Sequence, residues 1–342
     1  ATTEIYALSL HDALPIFDST SHLFALDFNG KLLWKTGFGP EWTVNFPGPR
    51  CTPTYYDGLI YAVSGMGRIS CFDANNGSVV WSKEMLKDLN GTNIRFGYTE
   101  SLAVDDEKVY CVPGGKDTNI VALDRFNGNL IWTSKGTGEM GAYCSPLLIN
   151  LRDRKIMVTF TWHNLVAVDC SNGKVLWSHL QKGNGDIHCN TPISDNGNLY
   201  YSTGAGNCGV KLQITHNGDS ISEIWRNKEF DNVMGGFVKI GEYLYGSGYR
   251  KRVWKAVDCN IGQITDTLSF DIGSTIFADG MLYAYNERGM AGLIKPNKDK
   301  LELISSFAVT KGSDEHFAHP VIGKGMLLIR HGNALLAYKI TK

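Results

Sequence analysis

Side chains that could bind or react are concentrated in the short segments that precede strand-like runs. Segments of this kind without a function tend toward Gly, Ser, Asn and Asp. Here they carry aromatic, arginine, carboxylate and histidine side chains: Trp42, Arg50, Arg95, Tyr98, Glu100, Tyr143, His188, Asn190, Asp231, Asn232, His316 and His319. Aromatic and arginine residues are typical of ligand pockets and partner surfaces, so these twelve residues are the predicted binding site. The alternative is structural, with Arg50 bridging carboxylates and the two tyrosines packing against neighbours.

Three of these residues raise the possibility of a metal centre. His188, His316 and His319, with Glu100 or Asp231, supply imidazole and carboxylate ligands suited to several transition metals. Their spacing matches no metal-binding motif, so no metal is predicted and hydrogen-bonded structural histidines are the favoured interpretation. No residue is assigned as catalytic.

An internal repeat predicts the elements that position these residues. Segments such as HLFALDFNGKLLW, RISCFDANNGSVVW and NIVALDRFNGNLIW recur at intervals of roughly 45 to 51 residues. The clear copies close on a tryptophan: Trp34, Trp81, Trp132, Trp177 and Trp225. Two weaker copies end at Phe270 and Phe307, and a partial copy, NALLAYKITK, ends the chain.

Each copy is expected to form two strands joined by a turn, because apolar residues alternate on both sides of an Asn-Gly pair. Asn-Gly tolerates the positive φ of a tight hairpin. An aspartate repeats just before the turn, where its carboxylate can cap backbone N–H groups: Asp27, Asp73, Asp124, Asp169 and Asp258. A second hairpin precedes each copy, as in TPTYYDGLIYAVSG. Four strands per roughly 45 residues is the period of a β-propeller blade, with the closing Trp or Phe between neighbouring sheets.

The predicted fold class is therefore all-β, a β-propeller of four-stranded antiparallel blades. Seven closing aromatics and one partial copy favour a native eight-bladed ring whose first blade is incomplete in this chain, with seven blades as the alternative. In such a ring the segments before the inner strands meet at one mouth of the central channel. The twelve candidate residues are expected at that mouth.

Residues 1–16 fit none of the repeat, and EIYALSLHDALPI resembles a translated sequencing adapter. We expect them to be non-native sequence preceding a single propeller domain, residues 17–342, and expect any export signal to lie upstream. Lys and Arg total 33 against 34 Asp and Glu, which gives no electrostatic argument for nucleic acid. No apolar run is long enough for a transmembrane helix. The eight cysteines form no C-x-x-C motif and are expected to be mostly free thiols.

The repeated ALDxxNGxxxW unit resembles the repeat of pyrroloquinoline-quinone (PQQ)-binding-like propellers, the superfamily of quinoprotein alcohol dehydrogenases and of the BamB-like lipoprotein of outer-membrane barrel assembly. Segments such as FPGPRCTPT, NIRFGYTESL and EHFAHPVI are similar to those of extracytoplasmic quinoprotein-like propellers. The resemblance covers about residues 20–342. It implies a periplasmic or otherwise extracytoplasmic protein that either oxidises a substrate with a quinone or acts as a scaffold.

Between these two functions, we expect a scaffold that binds a small molecule or an envelope protein through the channel mouth, as a monomer. The alternative is a PQQ-dependent alcohol or sugar dehydrogenase, which would use PQQ with calcium and a general base such as Glu100 or Asp231. Quinoprotein alcohol dehydrogenases carry adjacent disulfide-bonded cysteines beside the quinone, and this chain has no Cys-Cys pair. It also has no haem-attachment C-x-x-C-H.

Overall fold

A computed structural model describes residues 6–10, 19–181, 187–204 and 208–340. Its contacts divide the chain into two compact units. Unit 1 comprises residues 1–181 and 216–219, and unit 2 comprises residues 182–215 and 220–342. Both units are built from antiparallel sheets in which neighbouring strands are consecutive in sequence.

Unit 1 contains one three-stranded and three four-stranded sheets. The strands of the first two sheets are β1 (Tyr6–Leu10), β2 (Thr20–Leu26) and β3 (Leu32–Pro40), then β4 (Thr54–Tyr56), β5 (Leu59–Val63), β6 (Arg68–Asp73) and β7 (Val79–Glu84). One helical turn follows, α1 (Met85–Asp88). The next two sheets are β8 (Ala103–Val104), β9 (Lys108–Cys111), β10 (Ile120–Asp124) and β11 (Leu130–Ser134), then β12 (Leu147–Asn150), β13 (Lys155–Phe160), β14 (Asn164–Asp169) and β15 (Val175–Leu180).

Unit 2 contains three four-stranded sheets and one three-stranded sheet. The first two are β16 (Ile193–Asp195), β17 (Asn198–Thr203), β18 (Cys208–Ile214) and β19 (Ile221–Asn227), then β20 (Phe237–Ile240), β21 (Tyr243–Ser247), β22 (Trp254–Asp258) and β23 (Ile264–Leu268). The last two are β24 (Gly273–Ala278), β25 (Met281–Asn286), β26 (Met290–Asn297) and β27 (Lys300–Ala308), then β28 (Val321–Gly323), β29 (Met326–His331) and β30 (Ala334–Lys339).

These sheets confirm the all-β propeller of four-stranded antiparallel blades. The expected eight-bladed ring is not supported, because seven sheets have an outer strand among the residues that the structure describes. Seven blades, the alternative from the sequence, is the number that the structure supports. The first sheet has three strands and not the expected two, since β1 pairs with β2 with Tyr6 opposite Leu26. Whether residues 1–16 are native sequence stays a prediction.

The repeated turn has the expected aspartate cap, but its asparagine lacks the positive φ expected for a tight Asn-Gly hairpin. Asp73 Oδ1 accepts a hydrogen bond from Asn75 N at 2.7 Å, and the corresponding aspartates of the other copies do the same. In the copies that carry Asn-Gly, the glycine has a positive φ, as at Gly77 (73°), and the asparagine does not. The asparagine instead accepts a bond across the turn, from Ser78 N to Asn76 Oδ1 at 2.8 Å. The hairpin is therefore a turn closed by a left-handed glycine, and the strand register shifts beside it.

Each closing tryptophan packs on the turn of the following copy. Trp81 Nε1 donates to the carbonyl of Arg125 at 2.9 Å, and Trp132 Nε1 donates to that of Cys170 at 3.0 Å. Both acceptors directly follow the repeated aspartate. The indole covers the turn glycine so closely that a Cβ at Gly128 would lie 2.7 Å from Trp81 Cε3. The glycine thus serves both the turn and the contact between neighbouring blades, which is why Asn-Gly and Trp recur together.

Gly128→Ala is expected to be clearly more destabilising than Gly30→Ala. Both glycines have positive φ, but a Cβ at Gly30 meets nothing within 4 Å. Gly30→Ala should cost only the left-handed backbone, about 1 to 2 kcal/mol. Gly128→Ala should add the displacement of Trp81, about 1 to 3 kcal/mol more. Denaturant unfolding of both variants measures the difference, and equal costs would show that the indole contact contributes no stability.

The core lies between adjacent sheets. In unit 1, Tyr61, Trp81, Val109 and Val121 belong to one buried cluster that joins the second sheet to the third. The middle strands are apolar on both sides because both of their faces are covered by neighbouring blades, as in β6, where four consecutive residues are buried. The eight cysteines form no disulfide within the described ranges, and seven of them are buried.

Candidate functional site

The loop between β3 and β4 is held by an arginine bonded to backbone. The Arg50 guanidinium donates to the carbonyl oxygens of Asn45 (2.7 Å), Phe46 and Phe96. Asn45 Nδ2 donates to the carbonyl of Arg95 at 3.4 Å, and Asn45 Oδ1 accepts from Trp42 Nε1 at 2.9 Å. Arg50 therefore fixes the 42–50 loop to the loop that precedes β8.

Aromatic side chains from these two loops and from the segment between β11 and β12 form a continuous row. The ring centroids of Phe46 and Phe96 are 6.3 Å apart, and those of Phe96 and Tyr143 are 5.7 Å apart. The guanidinium of Arg95 lies over the Phe96 ring, 5.1 Å from its centroid. Val44 and Phe46 are 77% and 48% exposed. We call Trp42, Val44, Phe46, Arg95 and Phe96 the aromatic surface.

Two glycines form the floor beneath Trp42. A Cβ at Gly65 would lie 2.6 Å from Trp42 Cβ, and a Cβ at Gly97 would lie 3.0 Å from Trp42 Cδ2. Only glycine lets the backbone approach the indole this closely. The orientation of Trp42 is thus set by the two loops, not by a ligand.

Buried polar side chains pin these loops to the ends of the strands. Glu41 accepts hydrogen bonds from Ser21 Oγ, from Trp42 N at 2.8 Å and from Gly65 N at 3.1 Å. Tyr98 donates through its hydroxyl to Pro113 O at 2.8 Å, and its backbone N–H donates to Gly65 O at 3.0 Å. Satisfied in this way, Glu41 and Tyr98 hold loop structure and are only 3% and 6% exposed.

Glu100 is the most unusual carboxyl group of unit 1. It is 3% exposed, and Oε1 accepts one bond from Val112 N at 3.0 Å. Oε2 is buried with no hydrogen-bond partner among the described residues. Burial raises the pKa of Glu100 to about 8, so the carboxyl is mostly protonated at neutral pH. Glu100 therefore carries little negative charge at neutral pH, while its Oε2 is left without a protein donor among the described residues.

The thiols near Glu100 are unreactive because burial keeps them protonated. Burial, with a further contribution from the charge of Glu100, raises the pKa of Cys51 to about 12 and that of Cys144 to about 11. The same two causes raise the pKa of Cys111. Thiols protonated throughout the physiological range are poor nucleophiles and metal ligands. These cysteines act as small apolar residues with weak hydrogen bonds, such as Val63 N to Cys51 Sγ at 3.4 Å.

In unit 2, two predicted residues bind each other. Asn190 Nδ2 donates to Asn232 Oδ1 at 2.7 Å, and Asn190 Oδ1 accepts from Gly236 N at 3.0 Å. Asn232 Nδ2 in turn donates to the carbonyls of Gly236 and Ser247, each at 2.8 Å. Both asparagines are buried, so the pair ties the loop before β20 to its neighbours.

Asp231 forms a buried ion pair. Its Oδ1 lies 2.6 Å from Lys255 Nζ, and the two side chains are 1% and 2% exposed. Oδ2 accepts from Arg250 N at 2.9 Å, and the Lys255 ammonium also donates to the carbonyl of Glu229. Every charge at this position is therefore matched inside the protein.

The predicted histidines take three different positions. His188 is fully buried, whereas His319 is exposed and its Nε2 lies 3.3 Å from the carbonyl of Met234. His316 is hydrogen-bonded to the hydroxyl of Tyr285 and stacks on His331 with centroids 3.7 Å apart. Burial, with the nearby His331, lowers the pKa of His316. Within the described ranges no group of three or more His, Cys, Asp or Glu could hold a metal ion.

Unit 1 has a polar depression of about 410 Å³ whose lining includes none of the twelve predicted residues. Its charged groups pair with one another: Lys155 Nζ is 2.8 Å from Asp105 Oδ2, and Arg154 Nε is 3.7 Å from Asp169 Oδ2. The bond from Lys155 is among the causes that hold the pKa of Asp105 below its usual value despite burial. This depression has no apolar lining of the kind that binds small molecules.

The structure thus connects four predicted residues of unit 1, Trp42, Arg50, Arg95 and Tyr143, through Asn45 and Phe96. Tyr98 and Glu100 bond separately, Tyr98 to Pro113 O and Glu100 to Val112 N. In unit 2 it joins Asn190 to Asn232, while Asp231, His188 and His316 occupy separate environments. Sequence reasoning missed Phe46, Phe96 and Lys255. Lys255 could have been found from the sequence, since it places a charge in VWKAVD where HLFALD, NIVALD and NLVAVD carry an apolar residue.

A family profile described as outer membrane protein assembly factor BamB matches residues 19–264. The chain belongs to the BamB family. BamB of Kangiella koreensis is 34% identical over 87 residues, which are 25% of this chain and 19% of that protein. Quinohemoprotein alcohol dehydrogenase ADH IIB of Pseudomonas putida is 30% identical over 101 residues, 29% of this chain and 14% of that enzyme. The matched segments thus span less than a fifth of each relative.

Solved structures support the same fold. BamB of Moraxella catarrhalis superposes with a TM-score of 0.70 at 14% identity, covering 98% of this chain and 96% of that one. A europium-containing methanol dehydrogenase gives a TM-score of 0.67 at 13% identity, covering 95% and 84%. Among the residues that the structure describes, no helix has the length and apolar character needed to cross a bilayer.

The carboxyl groups suggested for quinone chemistry do not fit it. Calcium beside a quinone requires ionised carboxylate ligands. Glu100 is buried and mostly protonated at neutral pH, with one oxygen bonded to Val112 N. Asp231 is neutralised by Lys255 and bonded to Arg250 N. At neutral pH neither side chain presents an unpaired negative charge to a cation.

Proposed function

We propose that this BamB-family propeller is a protein-binding scaffold that works outside the cytoplasm and presents the aromatic surface to its partner. Membership of the BamB family and the propeller fold support this proposal. Apolar side chains left in water on a fixed loop are a common property of docking surfaces.

The contrast between buried and exposed residues carries the proposal. The polar groups around the 42–50 loop are occupied by the protein itself, through Arg50, Asn45 and Glu41. Val44 and Phe46 are exposed, next to the exposed Thr43 and Pro47. Hydrogen bonds within the protein already hold this loop in place. Burial of its apolar side chains against a partner should therefore cost little conformational entropy.

The second candidate is a PQQ-dependent alcohol or sugar dehydrogenase. Its support is the 30% identity to a quinohemoprotein alcohol dehydrogenase. The states of Glu100 and Asp231 weigh against it. Titration with PQQ and calcium, followed by absorbance and by dye reduction with alcohols, separates the two functions: binding at micromolar quinone together with turnover would favour the dehydrogenase.

The variant Val44→Asp/Phe46→Asp is expected to lose its partner, because two charges replace the apolar contact area. Cross-linking and pull-down from envelope extract should show bands with the wild type that fall about tenfold or more with this variant. Tyr55→Asp is the matched control, since Tyr55 is 64% exposed in β4, outside the aromatic surface. Bands that persist with the double variant, or that disappear equally with the control, would contradict the proposal.

A further inference from the structure

The charge of the aromatic surface is positive. In residues 42–50 and 93–99 the charged side chains are both arginines, Arg50 and Arg95. The flanking acids contribute little, because Glu41 and Glu100 are each only 3% exposed and are used by backbone N–H groups. A partner that covers these two segments therefore meets arginine and aromatic groups, and neither segment contributes an exposed carboxylate.

Arg95 is the exposed charge of this surface. Its guanidinium lies over the Phe96 ring, which orients it while the side chain stays in solvent. An arginine held on an aromatic ring keeps its N–H groups available for a carboxylate in its own plane. Phe46, 6.3 Å from Phe96 between ring centroids, lies next to this position. An acidic group and an apolar group could therefore be bound side by side.

We infer that the aromatic surface recognises an acidic peptide segment that carries an aromatic or large aliphatic anchor, with the anchor on Phe46 and Phe96 and a carboxylate on Arg95. This inference rests on the proposed function and names the chemistry of the partner. Charge complementarity selects the acidic segment, because a basic one would meet Arg95 and Arg50. Two fixed loops give it a preformed site, since Arg50 already bonds to the carbonyls of Asn45 and Phe96.

The test uses two fluorescent peptides and the full chain. One alternates Asp and Glu around Phe and Leu, and the other has every acid replaced by Lys. Anisotropy titration should show tighter binding of the acidic peptide by about tenfold, and this preference should fall as salt rises. Arg95→Glu should reverse the preference, whereas Lys83→Glu, a charge reversal in β7 outside the surface, should leave it unchanged. Melting temperatures check that both variants fold.

Each outcome has a defined consequence. A wild type that prefers the basic peptide, or binds both equally, overturns the inference. Retention of the acidic preference by Arg95→Glu overturns it too. Vesicles of phosphatidylglycerol that bind through Arg95 when neither peptide does would assign the surface to an anionic lipid and likewise overturn it. If neither peptide binds while cross-linked bands still depend on Val44 and Phe46, the scaffold stands and only the acidic-peptide inference fails.

Discussion

Lys255→Met is expected to lower the free energy of unfolding by about 3 to 5 kcal/mol, because it leaves Asp231 as a buried, uncompensated carboxylate. Both side chains of the pair are at most 2% exposed, and Nζ lies 2.6 Å from Oδ1. Methionine preserves most of the volume but removes the ammonium. Water cannot replace it easily, since a Cβ at Gly248 would already lie 2.3 Å from Lys255 Nζ. Denaturant unfolding followed by tryptophan fluorescence measures the loss.

Two further variants isolate the buried charge. Lys251→Met removes a lysine from the pair with Glu229, whose side chains are 70% and 53% exposed, and should cost less than about 1 kcal/mol. Lys255→Met/Asp231→Asn should recover most of the stability, because Asn still accepts from Arg250 N and carries no charge. A Lys255→Met cost no larger than that of Lys251→Met would mean that the pair contributes nothing beyond a surface contact.

The blade architecture could be predicted from the sequence because the blades repeat the same local interactions. Aspartate caps the turn, glycine provides the left-handed residue, and the indole of the preceding blade covers that glycine, as Trp81 covers Gly128. These interactions constrain residue type at fixed spacing and so leave a visible repeat. The repeat limits the number of blades to seven or eight but does not decide between them, because that choice depends on the terminal strands such as β1 and β30.

The candidate site was accessible only in part. Sequence reasoning found the loops, because their composition departs from ordinary turns. It could not separate Glu100, which is buried, from Arg95, which is exposed, since that difference arises from strands distant in sequence. Glu100 accepts a hydrogen bond from Val112 N, and Glu41 accepts one from Gly65 N. No rule based on sequence spacing predicts either contact. Phe46 and Phe96 were missed because each is unremarkable until the two loops meet.

Glu100 is expected to contribute a fall in stability as the pH rises. Its pKa is about 8 in the folded protein against an ordinary value of 4.5. Between these values the folded state keeps a proton that the unfolded state releases, so stability falls as the pH rises from about 4.5 to 8 and then levels off. At about 1.36 kcal/mol for each unit of pKa shift, the total loss is on the order of 3 to 5 kcal/mol.

Glu100→Gln should abolish this loss, because the amide has the shape of the protonated acid and cannot ionise. We expect wild type and variant to unfold alike near pH 5 and the variant to be more stable by about 3 to 5 kcal/mol at pH 8 and above. Glu107→Gln, at a side chain 78% exposed, is the matched control and should shift stability by less than about 1 kcal/mol at every pH. Parallel curves for wild type and Glu100→Gln would mean that Glu100 is ionised in the folded protein. A buried free carboxylate beside the aromatic surface would then be available to a cation, and the argument against quinone chemistry at this position would fail.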